Sequence, residues 1–322
     1  MKTENSFDSR PNALSGIHHI TAVASSAAVN LSFYETVLGL RLVKQTVNFD
    51  DPYTYHLYYG DYTGSPGTIL TFFPWEKLPG GTAGAGMVAA VAFTIPGESV
   101  DWWFRRISDS GISAEKRMRF GDPLVSFSDP HGLPLELIGV SEPPSTAAWK
   151  ESPIPAGHGI AGFHSATALV NSPEASERLL SEVMGMTLQE REGNRYRFQM
   201  GDSNAPGHFY DLAVDPEARP GRLGGGTVHH IAFRTEDEKG QKRWQERLRE
   251  NGFSVTGVKD RKYFKSIYFH DPGGILFEIA TDPPGFAVDE PVENLGETLK
   301  LPDSYEPMRA EIEKRLPPLR LN

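Results

Sequence analysis

The sequence predicts an α+β protein built from four βαβββ modules, which pair into two domains with curved mixed sheets and are followed by a C-terminal extension. Three internal repeats support this prediction. The segment DPHGLPLELIG at 129–139 returns as DPGGILFEIAT at 271–281, an offset of 142 residues (271 − 129). The run VAAVAFTI at Val88 resembles VHHIAFRT at Val228, and GIHHITA at Gly16 resembles GFHSATA at Gly162.

The modules begin near residues 16, 86, 160 and 226, and each shows the same local signals. An apolar run of period two predicts an opening strand. A helical stretch follows, and two or three further strands close the module, such as 54–61 and 67–74 in module 1. The predicted helical stretches are 31–43, 100–111, 175–186 and 242–252. The pattern indicates antiparallel-rich sheets with helices on one face, and it requires modules to pair because one module cannot bury both sheet faces.

The chain divides into two halves and a tail. Modules 1 and 2 are assigned to an N-terminal domain at 14–150, and modules 3 and 4 to a C-terminal domain at 156–283. The Pro- and Gly-rich segment at 151–159 predicts the linker between them. The remaining segment, 284–322, is polar, resembles no module and predicts an extension with one short helix, expected to lie over the second half.

Composition excludes several classes of protein. The chain has 322 residues, of which 39% are hydrophobic and 23% charged, so it can form a packed core. The net charge of −10 disfavours binding to nucleic acid or to an anionic membrane. The absence of cysteine excludes thiolate metal sites and a cysteine nucleophile. Neither a signal peptide nor an apolar run of membrane-spanning length is visible, so we expect a cytoplasmic protein.

Two histidine pairs open modules 1 and 4, at His18–His19 and His229–His230. Neighbouring side chains of a strand point to opposite faces, so only one histidine of each pair is expected to face a shared cavity. The single His164 of module 3 is aligned with His19, which selects the second histidine of each pair. A lone histidine on an apolar strand is more often structural than a ligand.

A carboxylate lies within the apolar strand of module 4. Glu278 is costly to bury there unless it is paired, protonated or bound to a metal, and Glu136 poses the same question in module 2. Two histidines and one carboxylate form the facial triad of non-haem Fe(II) enzymes. His19, His230 and Glu278 would supply it if modules 1 and 4 share a cavity, and the same donors suit Mn(II) or Zn(II).

These motifs resemble the vicinal oxygen chelate superfamily, and more narrowly the bacterial ring-cleaving dioxygenases of the hydroquinone 1,2-dioxygenase type. The resemblance covers nearly the whole chain. It implies that His19, His230 and Glu278 bind iron and that His229, Arg261 and Tyr268 are catalytic residues. The motifs that carry it are GIHHITA at Gly16, YHLYYGDYTGSPGTILTFFPW at Tyr55, GFHS at Gly162, HHIAF at His229, DRKYF at Asp260 and DPGGILFEIATD at Asp271.

The resemblance implies a ring-cleaving dioxygenase of extradiol type that uses Fe(II) to insert O₂ into a small hydroquinone or catechol. Two alternatives stay open: a Zn- or Ni-dependent lyase or isomerase of the glyoxalase type, and a non-catalytic protein that binds an aromatic compound or a drug. The preferred ring and the oligomeric state, including a homo-oligomer, are also open. The sequence also allows Arg261 to be a solvated charge and Tyr268 a core aromatic residue, while His56 is interpreted as structural or pocket-lining.

Module 2 offers an internal control for module 4. Ala90, Arg119 and Ser126 occupy the positions of His230, Arg261 and Tyr268. The loss of histidine and tyrosine there argues against an equivalent iron site in modules 2 and 3. Because His164 and Glu136 remain, an accessory pocket in those modules stays open.

Overall fold

The computed structural model describes residues 13–201 and 205–320, which form two eight-stranded sheets with helices packed on them. The last two residues of the predicted extension lie outside the described residues. The strands are β1 (Ile17–Ala24), β2 (Arg41–Asn48), β3 (Asp51–Gly60), β4 (Ile69–Pro74), β5 (Met87–Pro96), β6 (Ala114–Arg119), β7 (Asp122–Ser128), β8 (Pro134–Val140), β9 (Phe163–Val170), β10 (Thr187–Glu192), β11 (Arg195–Gln199), β12 (Phe209–Val214), β13 (Thr227–Thr235), β14 (Lys259–Asp260), β15 (Lys265–His270) and β16 (Leu276–Thr281). The α-helices are α1 (Ala27–Ser32), α2 (Val100–Asp109), α3 (Glu174–Arg178), α4 (Glu238–Glu250) and α5 (Arg309–Arg315).

Each sheet joins two modules through their opening strands. The first sheet has the order β14-β15-β16-β13-β1-β4-β3-β2, and the second has β10-β11-β12-β9-β5-β8-β7-β6. Within a module the first and last strands are parallel, as for β1 and β4, whereas β1 meets β13 and β5 meets β9 antiparallel. The fold is therefore the α+β class of paired βαβββ modules that the sequence predicts.

The sheets do not follow the division of the chain into halves. Modules 1 and 4 form the first sheet and modules 2 and 3 form the second, so each sheet takes one module from 14–150 and one from 156–283. A repeat identifies the modules but not their partners, because the backbone hydrogen bonds that join two opening strands leave no mark on side-chain pattern. As a consequence, a site formed between modules 1 and 4 needs both halves of the chain.

The helix of module 1 is shorter than the predicted 31–43. Helix α1 continues as a π-helical turn over Phe33–Val37, and Gly39 then adopts φ of 69°, a conformation that favours glycine and ends the helix. Arg41 already begins strand β2, so the predicted stretch is wrong beyond the glycine. Apolar residues recur on both sides of Gly39, from the helix into the buried strand, which explains why the predicted helix extends too far.

Helices of neighbouring modules contact one another through repeated arginine bonds. Arg106 Nε of α2 donates to the Val37 carbonyl at 2.8 Å, and Arg247 Nε of α4 donates to the Val183 carbonyl at 2.6 Å. Trp103 of α2 and Leu248 of α4 are buried in the core. Among the helices of residues 13–201 and 205–320, none combines the length and apolarity needed to cross a membrane.

The C-terminal extension lies against strand β2 of module 1 as well as against module 4. Arg41 Nη1 donates to the Val292 carbonyl at 2.9 Å, and Gln45 Nε2 donates to the Gly296 carbonyl at 3.0 Å. The extension was expected to lie over the second half, which it does contact through Lys262 and Tyr263, and it also contacts the first half. The reason is that the outer strand of module 1 belongs to the same sheet as module 4 and offers the extension unpaired backbone groups.

Candidate metal centre and aromatic pocket

Two β-bulges hold the histidine pairs at the junction of β1 and β13. In the register, Ile17 pairs with Phe233 and His19 with Ala232, which leaves His18 without a cross-strand partner; His229 is skipped in the same way. A bulge breaks the strict alternation of side chains. Both His229 and His230 therefore line one cavity, and the expectation that only one histidine of each pair faces it is wrong for this pair.

His19, His230 and Glu278 converge beneath that cavity. Glu278 Oε2 lies 3.4 Å from His19 Nε2 and 3.0 Å from His230 Nε2, and one ligand atom from each of the three lies within 4.8 Å of the others. Their side chains are at most 7% exposed. Strand pairing explains the convergence, since β1, β13 and β16 are neighbours in the first sheet.

The carboxylate of Glu278 is fully buried and ionised. Although burial alone would raise it, the adjacent His19 and His230 imidazoles hold the pKa of Glu278 well below its usual range. Ser266 Oγ donates to Oε1, whereas Oε2 has no hydrogen-bond partner of acceptable geometry among the described residues despite its closeness to both histidines. A buried anionic oxygen aimed between two imidazole nitrogens fits a divalent cation.

The first histidine of each pair supports the second. His18 Nδ1 lies 3.0 Å from His19 Nδ1, and His229 Nδ1 lies 2.8 Å from His230 Nδ1. Each contact needs a proton on one of its two nitrogens, and it orients the rings so that Nε2 of His19 and of His230 points at Glu278. Burial lowers the pKa of His230, and it lowers the pKa of His229 to about 3, so both imidazoles are neutral.

An aromatic pocket opens above the three residues. Its volume is about 110 Å³, close to the roughly 150 Å³ of a cavity known to hold benzene. The lining residues are His19, Asn48, Phe49, Asp50, His56, Tyr58, Phe73, Trp75, His229, His230, Arg261, Phe264 and Tyr268. The sequence did not assign Phe73, Trp75 and Phe264 to the site. The density of aromatic residues at 55–75 is a signal for the first two.

Arg261 and Tyr268 stand together on one wall of the pocket. Arg261 Nε donates to Tyr268 Oη at 3.3 Å, and its Nη1 lies 3.8 Å from Asp50 Oδ2. Burial, followed by the nearby charge of Glu278, raises the pKa of Tyr268, so the phenol keeps its proton. Arg261 is therefore not merely a solvated charge, since its guanidinium lines the pocket.

His56 lies on strand β3, and both of its ring nitrogens contact hydroxyl groups. Its Nε2 lies 2.8 Å from Thr71 Oγ1, its Nδ1 lies 2.8 Å from Tyr58 Oη, and Thr71 Oγ1 donates to Thr21 Oγ1 at 2.9 Å. Burial lowers the pKa of His56 well below its usual range. The residue is both pocket-lining and structural, which agrees with its interpretation from the sequence.

The second sheet differs from the sequence alignment at His164. This residue is the unpaired bulge residue opposite β5, so it corresponds to His18, and Ser165 occupies the position of His19. The structure places His19 beside Glu278, but the alignment with His164 is not a reason to select it. Glu136 instead accepts hydrogen bonds from both Nη atoms of Arg119. With neither inner histidine, modules 2 and 3 hold a buried ion pair where modules 1 and 4 hold the His–His–Glu cluster.

Comparisons with known proteins find relatives over nearly the whole chain. The model of the Glyoxalase/Bleomycin resistance protein/Dioxygenase superfamily matches residues 16–137 and 162–279. The chain is 46% identical over 304 residues to the Bacillus subtilis protein named "Putative ring-cleaving dioxygenase MhqO", covering 94% of this chain and 96% of that one. It is 34% identical over 311 residues to the "Chlorohydroquinone/hydroquinone 1,2-dioxygenase" of Sphingobium indicum, covering 94% and 96%.

Solved structures show the same similarity. A crystal structure described as a "putative dioxygenase" from Bacillus subtilis superposes with a TM-score of 0.92 at 44% identity, over 97% of this chain and 99% of that one. Glyoxalase I from Zea mays superposes with a TM-score of 0.62 at 15% identity, over 83% and 92%, which shows a shared fold alone.

Proposed function

The chain belongs to the Glyoxalase/Bleomycin resistance protein/Dioxygenase superfamily, and on that premise we propose that it is an Fe(II)-dependent dioxygenase that cleaves the ring of a small hydroquinone or catechol. The observation that carries the proposal is the buried His19–His230–Glu278 cluster beneath a pocket the size of one aromatic ring. Curated relatives at 37–46% identity are named as ring-cleaving dioxygenases, and one at 34% is named for chlorohydroquinone and hydroquinone.

The donor set supports an iron site. His19, His230 and Glu278 would hold the ion through two imidazole nitrogens and one carboxylate, which leaves coordination positions open for reactants. The chemistry that such an ion supplies when bound is the activation of an aromatic diol and dioxygen toward each other. Mn(II) or Zn(II) would fit the same donors in a purified sample.

The pocket residues supply binding and proton handling. His230 Nδ1 donates to His229 Nδ1 if Nε2 of His230 is a ligand, so the neutral His229 retains an Nε2–H group that can donate a hydrogen bond to a substrate oxygen. Tyr268 keeps its phenolic proton and is a second donor. Arg261 is permanently charged and stabilises negative charge on oxygen.

The reaction consumes one O₂ and breaks one carbon–carbon bond of the ring. Both oxygen atoms enter the product, and a para-diol has no two adjacent hydroxylated carbons, so its ring must open beside a single hydroxylated carbon. This is cleavage of extradiol type. The aromatic walls at Phe73, Trp75 and Phe264 exclude water and hold the ring flat by stacking.

No specific observation favours either of the two alternative functions. A glyoxalase-type isomerase shares the fold, but the likeness to glyoxalase I is at 15% identity. A non-catalytic aromatic-binding protein would have no use for a buried carboxylate aimed between two imidazoles.

The test is O₂ uptake after anaerobic loading with Fe(II). We expect consumption of one O₂ per hydroquinone or catechol and a product 32 mass units heavier than the substrate, 36 with ¹⁸O₂. His230→Ala should lose iron and activity, while His270→Ala, an exposed histidine of the same module, should retain both. Full turnover by the metal-stripped enzyme or by His230→Ala would refute the proposal.

A further inference from the structure

The two sheets contain the same arginine–glutamate pair in two different arrangements. Arg261 precedes Glu278 by 17 residues (278 − 261), and Arg119 precedes Glu136 by 17 (136 − 119). The residue opposite the glutamate in the strand register is Tyr268 in the first sheet and Ser126 in the second. The backbone therefore presents both pairs alike, and the side chains decide whether they meet.

In the second sheet the pair is closed. Arg119 donates through Nη1 and Nη2 to the two oxygens of Glu136, and both side chains are at most 7% exposed. The side chain of Ser126 is small and does not separate Arg119 from Glu136. Both oxygens of Glu136 are therefore bonded to the guanidinium, whose positive charge also disfavours a cation at this position.

In the first sheet the pair is open. The guanidinium carbon of Arg261 lies 5.6 Å from the centroid of the Tyr268 ring, and Nε contacts the phenolic oxygen at the far end of that ring. Asp50 lies 3.8 Å from Nη1 and draws the guanidinium outward. Glu278 keeps Oε2 free of hydrogen bonds among the described residues and aimed at His19 and His230.

We infer that the Tyr268 ring is a steric spacer that keeps Arg261 off Glu278 and so preserves the carboxylate as a metal ligand. This positioning role is separate from proton donation by the hydroxyl group, and it rests on the metal site of the proposed function. A guanidinium that reached Glu278 would compete with the metal twice, by occupying its oxygens and by adding positive charge at a buried site.

The experiment measures metal affinity rather than activity. Mn(II) is titrated into the metal-free protein, and free Mn(II) is followed by its electron paramagnetic resonance signal. Tyr268→Ser copies module 2 and should weaken Mn(II) binding by about 10- to 100-fold, the usual effect of disturbing residues around metal ligands. Tyr268→Phe keeps the ring and should stay within about threefold of wild type by the same reasoning.

A second variant separates competition from general damage. In Tyr268→Ser/Arg261→Gln the intruding charge is gone, so Mn(II) affinity should return to within about threefold of the Arg261→Gln single variant. Circular dichroism and melting temperature check that all variants are folded.

Each result has one meaning. Unchanged affinity in Tyr268→Ser would overturn the inference, and so would a loss that Arg261→Gln does not reverse. A loss in Tyr268→Phe equal to that in Tyr268→Ser would assign the effect to the hydroxyl group and overturn the spacer role. Failure of the wild-type protein to bind Mn(II) or Fe(II) would instead refute the proposed function itself.

Discussion

The contacts of the buried Lys44 allow us to predict how much the C-terminal extension stabilises the protein through the first sheet. Its side chain on β2 is 0% exposed, and Nζ lies 2.7 Å from Asp289 Oδ1 and in contact with Glu290 Oε2, both on the extension. Removing one partner of a buried pair typically costs 3–5 kcal/mol. Because Asp289 remains, we expect Glu290→Leu to lower the free energy of unfolding by about 3 kcal/mol, the lower end of that range.

A double-mutant cycle with Lys44→Met isolates the charge. The double variant Lys44→Met/Glu290→Leu removes both members of the pair at similar volume, and Asp289 keeps its contacts with Lys262 and Tyr263. It should therefore unfold within about 1 kcal/mol of wild type, since apolar replacements of buried pairs are often neutral.

The assay is urea unfolding of all four proteins, with the exposed Glu293→Gln on the same extension as control. About 3 kcal/mol corresponds to a fall of roughly 6 °C in melting temperature for a long chain. If Glu290→Leu unfolds like wild type, or if the double variant is no more stable than Glu290→Leu, the ion pair does not fasten the extension.

Two further predictions concern pH and substrate size. Burial lowers the pKa of His229 to about 3, so between pH 6.5 and 3 only the unfolded chain binds this proton, and the metal-free protein should lose stability as pH falls. The melting temperature of His229→Gln should therefore fall less steeply with decreasing pH than that of wild type. Identical pH dependences would contradict this assignment. Trp75 stacks on Phe73 with centroids 5.3 Å apart. Trp75→Ala should therefore lower kcat/KM for one-ring diols by up to about tenfold and raise the relative turnover of a naphthalene diol. An unchanged ratio of kcat/KM for the two substrates would count against Trp75 as the limit on ring size.

Much of the site followed from residue types in the repeat. A glutamate in an apolar strand and histidines at repeat-related positions were enough to nominate His19, His230 and Glu278, although the alignment of His164 that selected them was off by one residue. The strand bulges explain why the residue types indicated the site although the alignment of His164 was shifted by one residue. A bulge inserts one residue without changing the apolar pattern, so which histidine turns inward depends on backbone pairing and not on the pattern.

The amino-acid pattern was sufficient to predict the four modules, most of their helices and strands, and the chemical character of the metal donors. These are local properties, since apolar periodicity and turn residues act over a few positions. The tertiary structure alone decided the pairing of module 1 with module 4, the docking of the extension on β2, and the opposite fates of Glu136 and Glu278. Those outcomes depend on which edges hydrogen-bond and on whether Tyr268 or Ser126 fills the space beside the carboxylate, which are contacts between residues distant along the chain.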